Sequence, residues 1–433
     1  MKYKERFLAV VTGQIRSREA RIHVEKELNY HLKETKKYWI DKGMTDIEAE
    51  EKAVKQMGDP QKLGVKMNKL HRPKADWLLL SLLAAVMALG ILPILALDAE
   101  VYGEMRDSFL QKKSIFGLAG LALAVCIMFF DYRKLQKWGW AFFLIGTAIL
   151  YGLRWFPNTF SNGEPNFYIP GLGALNCWAA LPFFFLAWAQ FFQDKRIKAW
   201  QLILLFVYSL YLFLMIPNLS ITFIYGMMVM IMLWWSHLSK RIVFSLTAGI
   251  FTLGTAGIAS LYLFGRQYQI QRVEAFIDPN QYANGAGYMY VQLRERMLEA
   301  SWFGETVKQL KPIPDLHTDY ALVGLTSHFG YAASIIVMIV LLLFVIRMGA
   351  MTVGVKSRYA KLLVVGAVAL FSLQFFYNIA MIFGMVPIIS MSLPFISYGG
   401  IPTIFNAFLI GVVLSVYRRK QFAVFNEEGC KAK

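Results

Sequence analysis

The chain has 433 residues, 57% hydrophobic and 15% aromatic, with a mean hydropathy of +0.45 and a formal net charge of +17. Soluble domains run about 45–50% apolar, so this composition excludes an ordinary soluble protein and describes one built for a bilayer. The positive charge falls in short clusters between apolar runs, as in the cytoplasmic loops of multispanning proteins, which argues against nucleic acid as a partner. Cys126 and Cys177 lie in apolar runs and Cys430 in the tail, without CxxC spacing, so neither a disulfide framework nor a cysteine metal site is supported.

Residues 1–75 read as a small soluble helical module, too charged for a cleavable signal peptide, so the first apolar run is expected to insert the chain. Val24, Leu28 and Leu32 recur at helical spacing among charges, and Ile47, Val54 and Met57 predict a second helix. Thr45-Asp46-Ile47-Glu48 has the form of a capping box, and Gly58-Asp59-Pro60 supplies a terminal glycine and then a breaker. Through Glu27-Leu28, His31-Leu32, Gly43, Glu48-Ala49 and Met57-Gly58-Asp59-Pro60 the module resembles the cytoplasmic prefix domains found ahead of some bacterial permeases. A solvated helical hairpin without a partner accounts for the same residues, and nothing in them looks catalytic.

Apolar runs of spanning length recur near 77–97, 114–130, 138–153, 171–192, 199–217, 219–238, 243–265, 320–346, 362–386 and 397–417. The expected fold is therefore all-α, a polytopic membrane domain of about ten helices over residues 76–420 with a tail over 421–433. Basic clusters follow every second run: Arg133, Lys134 and Lys137; Lys195, Arg196 and Lys198; Lys240 and Arg241; Arg347, Lys356, Arg358 and Lys361; Arg418, Arg419 and Lys420. These segments belong in the cytoplasm, which puts both termini inside and the loop 266–319 outside.

The run from Gln269 to Tyr320 is the longest polar interval between apolar segments in the last three-quarters of the chain. Loops beyond about 12–15 residues are mostly functional or disordered, and Phe276, Tyr288, Tyr290, Trp302 and Phe303 speak against disorder here. It is expected to be ordered beside the bilayer, with Asp319 where it meets the eighth span. Val291, Met297 and Leu298 among Arg294, Glu295, Arg296 and Glu299 form a short amphipathic segment for the outer interface, as a lid or as inert cover.

Leu393-Pro394-Phe395-Ile396-Ser397-Tyr398-Gly399-Gly400, preceded by Gln374, Asn378, Gly384 and Pro387 and followed by Asn406, resembles the signature of the FtsW/RodA/SpoVE family. These are the SEDS proteins of cell shape, division and sporulation. Further blocks resemble the family: Arg272…Phe276-Ile277-Asp278-Pro279…Gly285-Ala286-Gly287-Tyr288…Gln292, Pro314-Asp315-Leu316-His317-Thr318-Asp319-Tyr320, and Arg154-Trp155. The resemblance covers roughly residues 77–420. It implies polymerisation of peptidoglycan glycan strands from lipid II at the outer leaflet of the bacterial plasma membrane, beside a class B penicillin-binding protein. Asp319 takes the position of the family's catalytic aspartate, and a divalent cation, Mg2+ or Mn2+, is expected at the pyrophosphate. The chain also departs from the pattern. Ser327-His328 stands where the family has two glutamates, a Gln-Pro-Ser-Glu block is missing, Ile216-Pro217-Asn218 replaces Gln-Pro-Asp, and Ile401-Pro402 replaces two serines. These losses keep open a non-catalytic paralogue that binds lipid II as a scaffold, or a flippase for a lipid-linked precursor.

Glycan polymerisation needs a base for the acceptor 4-hydroxyl and charge relief for the departing pyrophosphate. Asp319 can be that base if desolvation tunes its pKa, or a helix N-cap. Arg154 and Arg272 can grip pyrophosphate bidentately or snorkel to headgroups. His317, beside Thr318 in the same block, can shuttle a proton or position the loop, the second being favoured. Gln374 and Asn378, one turn apart, either bond across helices or line a groove for the lipid. Ser397 and Tyr398 stand in an outer turn whose glycines serve backbone geometry, with Tyr398 toward the cavity. His328 is expected to be buried or interhelical. No cluster has metal-ligand spacing of its own.

Overall fold

The charge-rich N-terminal stretch folds as four helices where the spacing predicts two: α1 (Tyr3–Gly13), α2 (Arg18–Asp41), α3 (Asp46–Gln56) and α4 (Pro60–Leu70). The structure, a computed structural model, describes residues 3–70, 75–97, 99–161, 163–170, 173–304 and 313–420. It divides into two units, residues 1–76 with 354–356 and 417–433, and residues 77–353 with 357–416. The first has its own core, in which Phe7, Leu8, Val11 and Ile15 meet Val24, Leu28, Leu32 and Ala53. Glu48 accepts from Thr45 N (3.2 Å) and Thr45 Oγ1 (2.7 Å), fixing the start of α3. Gly58 takes φ +79° just beyond its end. Ile47 is 70% exposed; α3 turns Ala49 and Ala53 inward instead, since their small side chains let it pack closely on α1 and α2.

The second unit contains α5 (Trp77–Leu89), α6 (Leu92–Leu95), α7 (Ala99–Phe129), α8 (Gly139–Trp155), α9 (Leu181–Gln193), α10 (Ala199–Leu214), α11 (Leu219–Leu233) and α12 (Lys240–Phe264). The polar loop follows with α13 (Gln267–Ile277) and α14 (Tyr288–Leu298), and then α15 (Ala321–Ala350), α16 (Arg358–Ile382) and α17 (Gly400–Arg418). Six helical stretches among the described residues are long and apolar enough to cross a membrane: Trp77–Leu95, Tyr102–Phe129, Lys240–Phe264, Ala321–Ala350, Arg358–Ile382 and Gly400–Arg418. The other expected spans are shorter helices. The chain is an all-α multi-pass membrane protein. Its interior is aromatic, with Phe184, Phe185, Trp188 and Phe191 of α9 fully buried. Polar atoms there satisfy one another, as hydrocarbon surroundings require: Trp188 Nε1 donates to Tyr225 Oη (2.7 Å), which also bonds Ser209 Oγ (2.5 Å).

Three local features differ from the expectation. The run expected to start at 114 is preceded by helix from residue 99, kinked at Gly103 (φ +39°), and residues 102–129 form its spanning part. The run expected over 171–192 becomes helical only from Cys177. Before it, β1 (Thr159–Ser161), β2 (Glu164–Ile169) and β3 (Gly173–Leu175) form an antiparallel sheet with Thr159 opposite Asn166 and Phe167 opposite Leu175. Finally, α15 is broken at Gly330, where φ is +83° and ψ 172°.

The break is closed by the loop after α14. Tyr331 N donates to Ser301 O (3.0 Å) and Ala332 N to Trp302 O (3.1 Å), so the amides freed by the kink are not left bare. A β-carbon at Gly330 would lie 2.5 Å from both Gly304 N and Trp302 O. Gly330→Ala is thus expected to destabilise the protein by about 2 kcal/mol or more, through left-handed strain and a backbone clash. Thermal unfolding in detergent, read beside an exposed-site control, checks this.

Candidate active site

The turn Ile313–Tyr320 delivers Asp319 to the start of α15. Asp315 adopts φ +57°, and its carbonyl accepts from Thr318 N (3.0 Å), Thr318 Oγ1 (3.2 Å) and Tyr320 N (3.2 Å). Thr318 is therefore spent on holding the turn. Asp319 is not the helix cap: Tyr320 occupies that position, without a side-chain cap bond.

Burial pushes the Asp319 carboxyl up to about 6; a hydrogen bond from Ser390 opposes the shift, and the negative charges of Asp315 and Glu164 add to it. No arginine or lysine among the described residues contributes. The backbone of Asp319 is anchored separately, because Asn378 Nδ2 donates to Asp319 O (2.8 Å) and to Met391 O (2.5 Å). Asn378 is fully buried and ties the aspartate to the loop after α16.

The loop before α17 closes the site. Tyr398 N donates to His317 O (2.8 Å), and the rings of Phe109, His317 and Tyr398 cluster, with Phe109 stacked on His317 at 4.9 Å and an interplanar angle of 16°. Burial lowers the His317 pKa, the charge of Asp315 opposing, so the imidazole is neutral at pH 7. Ser397 is buried and its Oγ accepts from Leu393 N (2.7 Å). This loop hangs on a lysine that the sequence reading passed over. Lys113 of α7 is 4% exposed, and its Nζ donates to Phe395 O (2.7 Å), Ile396 O (3.4 Å) and Ser397 O (2.6 Å). Phe395 sits at φ +62°, which turns these carbonyls toward one point. Gly90 leaves room for the arrangement, since a β-carbon there would lie 2.2 Å from Phe395 O. Gly400 serves packing rather than left-handed geometry: its β-carbon would meet the Phe116 ring at 2.6 Å.

The hairpin brings a second acid. Glu164 Oε1 accepts from Asn218 Nδ2 (2.6 Å), while Asn218 Oδ1 caps α11 through Ile221 N (3.0 Å). Burial raises the Glu164 pKa, the Asn218 bond opposing. Around this assembly three buried polar atoms have no hydrogen-bond partner, His317 Nδ1, Asn378 Oδ1 and Ser392 Oγ. Buried polar atoms are nearly always paired, so these mark capacity left for a polar ligand or water.

The other expected site residues lie elsewhere. Arg154 is exposed, stacked on Trp155 at 5.3 Å, and Arg272 is exposed on α13. Neither contributes to the field at Asp319. Gln374 is fully buried in a reciprocal pair with Asn406 (3.2 and 3.1 Å), so it joins α16 to α17. His328, expected buried or interhelical, is exposed: it stands at the end of the buried helical stretch 321–327, two residues before the break at Gly330. The amphipathic segment is α14; Tyr290 Oη accepts from Ile388 N (2.8 Å), fastening it to the loop that carries Ser390. Glu164, Ser390, Phe109 and Lys113 were not singled out in sequence. For Lys113 the only signal was its place at the boundary between a polar stretch and an apolar run.

No three His, Cys, Asp or Glu side chains among the described residues converge as a metal site. Two desolvated acids, of which Glu164 adds its negative charge to the field at Asp319, do fit a hard divalent ion that takes its remaining ligands from phosphate oxygens.

A multi-pass helical membrane protein with a desolvated acid where a helix-bearing polar loop meets a spanning helix is the class these features define. The chain belongs to the FtsW/RodA/SpoVE family, whose model, described as "Cell cycle protein", matches residues 75–422. Among its relatives, a probable peptidoglycan glycosyltransferase FtsW of Trichlorobacter lovleyi is 23% identical over 372 residues, covering 79% of this chain and 92% of that protein. The peptidoglycan glycosyltransferase MrdB of Escherichia coli K12 is 26% identical over 212 residues, 47% of this chain and 56% of that one. In fold, the chain is similar to one from a peptidoglycan synthase complex that coordinates polymerization and crosslinking (TM-score 0.67, 20% identity, 80% of this chain and 98% of that one). It is also similar to a crystal structure of a mutant of the rod shape determining protein RodA of Thermus thermophilus (TM-score 0.59, 20% identity, 80% and 98%).

Proposed function

We infer that this protein is a glycan polymerase that extends β-1,4 strands from lipid II at the outer leaflet of the bacterial plasma membrane, crossing it about ten times with both termini inside. The observation that carries this reading is the Asp319 carboxyl, desolvated, held by Ser390 and anchored through Asn378, with unspent polar atoms around it. Ionised, Asp319 takes the proton of the acceptor 4-hydroxyl while that oxygen forms its bond to C1 of the donor sugar. The bond from C1 to the lipid pyrophosphate breaks, the electron pair leaves with the pyrophosphate, and the proton remains on Asp319 until exchanged with water. Neutral His317, walled by Phe109 and Tyr398, positions the acceptor and does not compete for the proton. Gln374 and Ser397 are assigned to holding the frame, and Thr318 to the turn.

Arg154 and Arg272 are assigned to the pyrophosphate, away from the base, where bidentate contacts suit the leaving group. Mg2+ or Mn2+, when bound, relieves pyrophosphate charge, with Glu164 as the chain's ligand. A class B penicillin-binding protein is the proposed partner, supported by the likeness to a synthase complex that couples polymerization and crosslinking. The substituted family acids motivate the competing reading of a lipid II-binding scaffold or a flippase.

Polymerisation of labelled lipid II by the purified protein separates these readings. The rate is expected to follow ionisation of the base: half its plateau near pH 6, flat from pH 7 to 8, and falling about tenfold per unit below pH 5. Absence of glycan product at every pH, with lipid II still bound, selects the scaffold. Lipid movement between leaflets without product selects the flippase.

A further inference from the structure

At the end of the α8–α9 pair opposite the hairpin, a depression of about 570 Å3 is lined by Arg133, Lys137, Trp140, Gln190, Gln193 and Lys195, among others. The hairpin with Glu164 joins the far ends of the same two helices, so about 25 Å of α8 separates this depression from the Asp319 site. Its lining carries four cations, Arg133, Lys137, Lys195 and Arg196, against one carboxylate, Asp194. That carboxylate is already taken: Arg196 Nε and a terminal nitrogen reach its two oxygens at 3.0 and 2.8 Å, holding its pKa below the usual range. A surplus of positive charge faces the cavity.

Two further features separate this from basic loop residues standing in water. Gln190 Oε1 and Gln193 Oε1 are buried in the wall, acceptors that no hydrogen bond among the described residues satisfies. The depression also continues into an apolar trough of about 470 Å3 along α10, lined by Ile197, Trp200, Leu204 and Leu205 and sharing Trp140, Asp194 and Arg196 with it. Trp140 and Trp200 are 53% and 57% exposed, indoles placed as at a headgroup boundary. Cations and hydroxyl acceptors in one depression, continuous with an aliphatic channel, match the phosphate, polar head and acyl chain of one amphiphile.

We propose that this basic depression and its trough form a binding site for a single anionic glycerophospholipid with a hydroxylated head. Its phosphate would sit on Arg133, Lys137 and Lys195, its head hydroxyls on the two glutamine oxygens, and one acyl chain along Ile197–Leu205. Basic pockets between spanning helices take such heads by the same charge pairing. The site is separate from the Asp319 chemistry and does not depend on it.

Native mass spectrometry of the purified full chain, titrated with phosphatidylglycerol, phosphatidic acid, phosphatidylcholine or polyprenyl phosphate, tests this. One phosphatidylglycerol is expected to be retained at least about tenfold more tightly than phosphatidylcholine and more tightly than phosphatidic acid. Lys137→Glu with Lys195→Glu, both at exposed positions, should erase the preference, and Lys137→Gln with Lys195→Gln should weaken it. A salt-sensitive preference that survives both double variants would overturn the site. Phosphatidic acid binding as well as phosphatidylglycerol would overturn the hydroxyl assignment, and polyprenyl phosphate binding best would overturn the glycerophospholipid.

Discussion

Asp319→Asn is expected to lower lipid II polymerisation by about 10²–10⁴-fold while leaving the protein folded. Asparagine keeps the backbone carbonyl that Asn378 holds, and it can still bond Ser390. It removes a carboxylate whose burial raises its pKa, so the variant should melt no lower than the parent near neutral pH. Loss of product with an unchanged melting temperature identifies a missing base rather than a damaged fold. Activity retained within a factor of about three would sink the assignment of Asp319. Lipid II binding, measured on the same sample, should change little, because the proposed contacts to the pyrophosphate are elsewhere.

Lys113→Met comes next in expected effect, and it acts at a distance from the reacting atoms. Three carbonyls lose their donor, and each buried acceptor left bare costs about 1–3 kcal/mol. Removing a buried ammonium returns part of that, so a net destabilisation of about 2–4 kcal/mol is expected. The polymerisation rate should fall at least tenfold because Tyr398 and the turn that bears Asp319 share the bond from Tyr398 N to His317 O. Lys113→Arg should not rescue, since a β-carbon at Gly90 would already lie 3.1 Å from Lys113 Cε and the larger guanidinium has no room there. Amide exchange supplies the local readout: protection should drop across residues 396–399 and persist in α9 and α16. Uniform loss of protection would mean that Lys113 merely supports the bundle.

The all-α, multi-pass character of the chain was legible because it is written in hydropathy. The blocks around Asp319 and Tyr398 were legible as family motifs. What escaped the sequence were relations set by tertiary contact. Lys112 and Lys113 marked a span boundary by composition, yet α7 runs through them because three carbonyls from residues 395–397 take up the Lys113 ammonium. Glu164 carried no local signal, since its importance comes from a hairpin folding back toward Asn218 and Asp319. Gln374 and Asn378 looked alike on paper; one joins two helices, the other holds the aspartate. Arg154 and Arg272 suited an anion by chemistry, but spacing along the chain could not measure their distance from the base.

The interruption at Gly330 makes the first part of α15 a lever. Residues 321–329 form an arm of about 14 Å with the carboxyl at its tip and the fulcrum clasped by Ser301 and Trp302. A swing of about 10° would carry that tip some 2.4 Å by simple trigonometry on the helix rise, enough to make or break one proton-transfer contact. A hand laid on the clasp would therefore be felt at the Asp319 carboxyl.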